Sequence, residues 1–234
     1  MDAELAAKDP ATFSMMFSSR AMRCICVGIP FMSFVTYGFG FWAPPYLLRV
    51  HGVDLVSAAT FLGLSSAVGG WVGVTLGGVL ADRLKHRSAN ARLYIAASVP
   101  VIALPVGVWF LYTDNLWIAY ACNFVFSITS PMWIGPAAST VNDLVMPRMR
   151  AVTSAFYLLM VTFIGLALGP YTIGQVSDAL FASGMSDGDA LRQGMLVGLG
   201  GFFVAMTLVI VAMRYLPADE ASRLERARAA GESV

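Results

Sequence analysis

Gly77-Gly78-Val79-Leu80-Ala81-Asp82-Arg83-Leu84-Lys85-His86-Arg87 marks the point where a long apolar helix runs out and a charged loop begins. Upstream of it, from about residue 56, there is no charged side chain, and glycines recur at Gly69, Gly73 and Gly77, four apart and therefore on one helical face. Four charges then fall within six residues, from Asp82 to Arg87. An uncharged stretch of this length suffices to cross a hydrocarbon core of about 30 Å, and the abrupt charge marks its return to water.

The same alternation repeats along the chain. Apolar segments occur at approximately 24 to 48, 56 to 82, 91 to 112, 116 to 142, 149 to 174 and 191 to 216, which predicts six transmembrane helices in an all-α integral membrane protein. Composition agrees: 58% of the 234 residues are apolar, and 15 basic with 14 acidic residues cannot coat a water-facing surface of this size. The first run exceeds a signal-peptide core and lacks a small-residue cleavage site, so it is expected to remain as a span.

Assigning the breaks alternately to two sides puts 13 basic residues on one and only Arg49 and Arg192 on the other. Basic loops are retained in the cytoplasm, so both termini are expected there, in a multi-pass protein of the cell (inner or plasma) membrane. Belt aromatics such as Trp42, Tyr46, Trp109, Tyr112, Trp117 and Tyr215 read first as interface anchors. The expected division is a cytoplasmic linker over 1–23, weakly amphipathic, three-helix units over 24–112 and 113–216, and a tail over 217–234. A short helix from Ala218 to Ala230 is conceivable in that tail, with a solvated segment as the default.

Several chemistries are excluded. A net charge of +1, spread between apolar runs, makes no basic face for nucleic acid. Cys24, Cys26 and Cys122 are too few for a disulfide framework and lack the partners of a zinc site. No Walker loop, dinucleotide fingerprint, HExxH or nucleophile-base-acid set is present, so neither an enzyme nor a cofactor or metal is expected.

The loop residues resemble the G-x-x-x-D-R-x-G-R-[RK] motif of the major facilitator superfamily of secondary transporters. Gly78, Asp82, Arg83 and Arg87 match it, while Lys85 replaces the glycine and His86 an arginine. Phe41-Trp42-Ala43-Pro44-Pro45-Tyr46-Leu47-Leu48-Arg49, and the region from Met146-Pro147-Arg148 through Gly169-Pro170-Tyr171 to Ser177-Asp178, are similar to its Spinster-like branch. The resemblance covers nearly the whole chain and aligns it with helices seven to twelve of a twelve-helix transporter. It implies a half-transporter made of two inverted three-helix repeats. It also implies a partner, a second six-helix half supplied by an N-terminal half or another copy, the chain itself being a fragment, a truncated reading frame or one member of a pair.

In the resembled family the motif aspartate, here Asp82, faces a helix N-terminus of the opposite half and helps hold the cytoplasmic side shut. Arg83 and Arg87 would hydrogen-bond acids across the same seam; simple retention charge explains them equally well. The glycine face of the second span allows close backbone approach, and packing alone accounts for it. Pro44, Pro45, Pro131, Pro136 and Pro170 are expected to bend their helices.

Polar side chains aligned on one face of a span avoid lipid and are candidates for a transport path. Ser33, Thr36 and Tyr37 form such a stripe in the first span, and Asn123, Ser127, Ser130 and Trp133 in the fourth. Helix-to-helix hydrogen bonding is the competing reading of each hydroxyl. No ionisable side chain lies in the middle of a span, so either a coupling acid lies in another half or the cargo is largely apolar and needs only an apolar, weakly polar cavity; the resemblance implies the second, an organic amphiphile such as a lysolipid or sphingoid-like lipid. A carrier of sugars or small organic acids, and a non-transporting scaffold, are the alternatives.

Overall fold

The computed structural model describes residues 8–88 and 90–229, and all the regular structure there is helical. Residues 1–7 of the expected linker and 230–234 of the tail lie outside the described residues. Helix α1 (Lys8–Ser18) precedes α2 (Arg20–His51), α3 (Leu55–Lys85) and α4 (Ala91–Tyr112). The fourth helical path comprises α5 (Leu116–Thr129), a 3-10 turn (Ser130–Trp133) and α6 (Ile134–Asp143). The fifth comprises a 3-10 turn (Pro147–Met149), α7 (Arg150–Met160), a π segment (Val161–Leu168) and α8 (Gly169–Ala182). Helices α9 (Asp187–Leu199) and α10 (Gly201–Ala221) follow, then α11 (Arg223–Ala229).

Among the described residues, five helical stretches are long and apolar enough to cross a membrane: α2, α3, α4, Pro147–Ala182 and Asp187–Ala221. The fourth path falls short as a continuous helix because it breaks at Ser130–Trp133, where Pro131 supplies no amide and crowds the preceding turn. The ends are capped by the residues that interrupt the apolar runs. Gly52 closes α2 in the left-handed region (φ 65°), and Asp54 opens α3 by accepting from the Ser57 amide at 3.0 Å. Asn115 opens α5 by accepting from the amides of Trp117 and Ile118.

Helix α2 is central: it packs on α10, α9, α8 and the π segment. Against α3 the glycine face meets the fourth path. A Cβ on Gly73 would stand 2.0 Å from the Ile128 carbonyl oxygen, and one on Gly77 2.1 Å from that of Met132. A matching approach joins the fifth path to α2, where a Cβ on Gly169 would stand 2.5 Å from the Phe34 carbonyl oxygen. In both places glycine lets backbones touch, and the touching helix departs from regular α geometry nearby.

Polar groups of α2 satisfy carbonyls at this irregular stretch. The Ser33 hydroxyl donates to the Val161 carbonyl (3.1 Å) and the Trp42 indole to that of Pro170 (2.8 Å). At the opposite end of α2 from residue 20, the Arg192 guanidinium donates to the Leu111 carbonyl (2.9 Å) and to Asp189, tying α9 to α4.

The tail departs from the expected solvated segment. Helix α10 runs through Pro217 to Ala221, and α11 folds back so that Ala227 is fully buried. Arg226 donates to the carbonyls of Met15, Leu144 and Asp219, which joins the tail to α1 and to the loop after α6. Three carbonyls near helix ends, of which that of Met15 also accepts from the Ser18 hydroxyl, give this arginine a reason to leave water.

Candidate functional site

Helices α2 and α5 bring their polar stripes together. The Thr36 and Ser130 hydroxyls lie 2.6 Å apart, and a cavity opens on either side of that contact. The first, about 160 Å³, is bordered by α2, α3 and α5 and receives Thr36, Asn123, Ser127 and Ser130 together with Phe39 and Phe126. The second, about 360 Å³, lies between α2, the 3-10 turn with α6, and the fifth path; Thr36, Tyr37 and Trp133 line it with Tyr157 and Thr162.

Six of the seven residues singled out in the sequence therefore share one wall. Ser33 does not: it is fully buried against the π segment, where its hydroxyl bonds the Val161 carbonyl. Phe39, Leu62, Ser66, Tyr157 and Thr162 line the cavities without having been singled out. Ser66 and Thr162 carried a signal, being hydroxyls within apolar runs. The aromatics carried none, because a wall aromatic and a core aromatic look alike in a sequence.

The wall is mostly carbon, with hydroxyls and one amide set into it, and neither cavity is lined by a carboxylate, arginine, lysine or histidine. Three donors in it lack partners among the described residues: Nδ2 of Asn123, Nε1 of Trp133 and the hydroxyl of Tyr157. All three residues are buried, 5%, 4% and 3% exposed, so their unmet hydrogen-bonding capacity is retained in a low-dielectric setting. What this arrangement can do chemically is surround an apolar body and meet a small number of hydrogen-bond acceptors. It cannot neutralise a charge.

The loop motif lies apart from the wall. Asp82, Arg83 and Arg87 are exposed, and among the described residues their side chains make no hydrogen bond or ion pair. Gly78 is half-buried with open space where a Cβ would project. The neighbouring acid Asp143 is engaged, bridging to Arg92 and, at 3.9 Å, to Arg150.

The family model described as Major Facilitator Superfamily matches residues 2–170. An MFS-type efflux pump of Mycolicibacterium smegmatis is 28% identical over 157 residues, covering 67% of this chain and 36% of the pump. The sphingosine-1-phosphate transporter SPNS2 of Danio rerio is 28% identical over 236 residues, covering 91% of this chain and 45% of that protein. The crystal structure of a bacterial homolog to the human lysosomal transporter Spinster, inward-facing and occupied, superposes with a TM-score of 0.74 at 24% identity, over 87% of this chain and 51% of that one. The chain thus spans less than half the length of these curated relatives.

Proposed function

The chain belongs to the Major Facilitator Superfamily, whose model covers most of its length, and on that premise we propose that it forms one six-span half of a secondary transporter that moves an organic amphiphile. The fourth path, from α5 through its 3-10 turn to α6, is the sixth span in this reading. The repeats are α2 to α4 and the fourth path to α10. The reading is supported by the exchange of contacts between them: α3 packs by glycine on the fourth path as the fifth packs by glycine on α2.

One observation carries the substrate class: the wall around Thr36 and Ser130 is apolar, holds unpaired hydrogen-bond donors and contains no charge. A lysolipid or sphingoid-like cargo would lay its chain on Phe39, Phe126 and neighbouring carbons and its hydroxyl or carbonyl groups near Asn123 and Ser130. A sugar acid would meet no counter-charge on this wall.

Alternating access rocks two bundles about a midplane site, so the proposal includes a companion bundle, carried on the same polypeptide or supplied in trans. Helix α3 and the fifth path, the least buried spans, flank the wall and would face it. Asp82, Arg83 and Arg87 would meet that companion at the cytoplasmic seam, with both termini on the same side. The membrane assigned is the cell's inner or plasma membrane.

Uptake of a labelled lysolipid into proteoliposomes, with and without a co-expressed N-terminal half, tests this. Uptake that needs both halves and is competed by lysolipids and not by sugars is expected. Equal uptake by the chain alone as a proven monomer, or competition by sugars and organic acids with none by lipids, would overturn it.

A further inference from the structure

Away from the wall, α2 and α10 touch where Gly28 meets Leu208; a Cβ on Gly28 would stand 2.7 Å from Leu208 Cβ. From there toward residue 20 the pair leaves a surface groove of about 350 Å³, lined by Arg20, Arg23, Cys24, Val27, Leu208 and Tyr215. Arg20, Arg23 and Val27 recur at helical spacing and share one face of α2. Leu208 and Tyr215, two turns apart, do so on α10. The Arg20 guanidinium sits 5.3 Å from the centre of the Tyr215 ring, which positions it at the groove instead of leaving it free in water. Among the described residues neither Arg20 nor Arg23 makes an ion pair. The neighbouring carboxylate of Asp219 is engaged elsewhere, its Oδ2 accepting from the Ser19 hydroxyl (2.7 Å) and the Ala21 amide (2.8 Å).

We propose that this groove binds one anionic phospholipid from the leaflet that meets the residue-20 end of α2. Its phosphate lies between Arg20 and Arg23, and one acyl chain runs along Val27 and Leu208. Two chemistries, a pair of guanidinium groups and an apolar channel, meet in one trough. Retention of a loop in the cytoplasm requires positive charge and needs neither an aromatic rest for an arginine nor an apolar channel beneath it. A zwitterionic lipid would use the channel and leave the surplus charge unmet; an acidic peptide would use the arginines and leave the channel empty. A guanidinium pair offers forked donors suited to phosphate oxygens. The site faces lipid, separate from the two cavities of the wall, and does not depend on what the wall carries.

The test is native mass spectrometry of the full chain released from nanodiscs of equal phosphatidylglycerol and phosphatidylcholine with matched acyl chains. A preference of about tenfold for phosphatidylglycerol is expected. It should vanish in the Arg20→Gln/Arg23→Gln variant, survive in Arg214→Gln, which alters an exposed arginine outside the groove, and partly survive in Arg20→Lys/Arg23→Lys. Val27→Trp, which fills the trough and keeps both arginines, should also lower retention. Thermal unfolding of each variant in detergent verifies that it is folded. Equal retention of the two lipids by the unaltered chain would overturn the proposal, as would an Arg214→Gln loss equal to that of the double variant. So would full competition by glycerol phosphate with Val27→Trp unaffected, since that describes an anion site without a lipid.

Discussion

Ser130 donates its hydroxyl proton to Thr36: the single proton of Thr36 is already given to the Met32 carbonyl at 2.8 Å, so across the 2.6 Å gap Thr36 accepts. This bond joins α2 to the 3-10 turn and separates the two cavities of the wall. Removing the donor with Ser130→Ala is expected to destabilise the bundle by about 1 kcal/mol. A double-mutant cycle with Thr36→Val should give a coupling of roughly 0.5 to 1.5 kcal/mol, read from unfolding in detergent. A coupling near zero would mean the two hydroxyls act independently.

Asn123 is the place where stability and binding should separate. Its side-chain nitrogen is buried at a cavity without a partner, a situation that disfavours the empty bundle by about 1 to 3 kcal/mol. Asn123→Leu should therefore leave the melting temperature unchanged or raise it. The stabilisation that a bound lysolipid confers on the unaltered chain should shrink. A variant that loses stability and keeps the ligand response would assign Asn123 to packing.

The glycines of α3 predict two opposite outcomes on one helix. At Gly73 and Gly77 a methyl group would press on backbone carbonyls of the fourth path, so Gly73→Ala and Gly77→Ala should each destabilise by about 1 to 3 kcal/mol or more. At Gly63 and Gly70 a Cβ meets nothing within 4 Å, and alanine there should leave the isolated bundle as stable as before. If a companion bundle covers that side of α3, larger residues at Gly63 and Gly70 should abolish co-purification with it while sparing the melting temperature.

Arg226 holds the tail. Burial pulls its pKa down from the ordinary arginine value, yet it stays charged and gives its protons to three carbonyls. Arg226→Met keeps the stem and removes those donors, and is expected to lower stability by about 1.5 to 3 kcal/mol. Amide exchange should accelerate in α1 and α11 together, because both are attached through this side chain. Acceleration confined to α11 would show that α1 is held by something else.

Acid should loosen the start of α3. The Ser57 hydroxyl and amide donate to Asp54 and draw its pKa below the usual carboxylate value of 3.8. A depressed folded-state pKa contributes stability that is complete above the unfolded value and disappears as pH falls through the folded one. Exchange of the first-turn amides of α3 should thus rise below about pH 4, and Asp54→Asn, which caps without titrating, should flatten that response. An unchanged exchange profile in the asparagine variant would place the acid sensitivity elsewhere.

Much of this architecture was legible in the chain. Runs without charge, broken by Arg49 to Asp54, Arg83 to Arg92 and Asp114, have one low-energy solution in lipid, a helix with every backbone group bonded internally. The caps Asp54 and Asn115 act at those breaks. The polar stripes were legible for the same reason, since a hydroxyl or amide avoids hydrocarbon and must turn inward. The resemblance of Gly78, Asp82, Arg83 and Arg87 to a family motif agreed with the match over residues 2–170.

What remained hidden depends on which inward surface each residue meets. Ser33 and Thr36 stand one turn apart with similar chemistry, yet one seals a contact with Val161 and the other lines both cavities. The 3-10 turn at Pro131 and the π segment around Gly165 arise where neighbouring backbones press together, and the tail docks because carbonyls from Met15 and Leu144 converge on Arg226. Hydrophobic periodicity and charge are properties of a residue and its nearest neighbours along the chain, so the sequence alone determined the helices and their apolar character. Cavities, irregular turns and docked arginines are sums over residues a hundred or more positions apart, and only the packed bundle decides them.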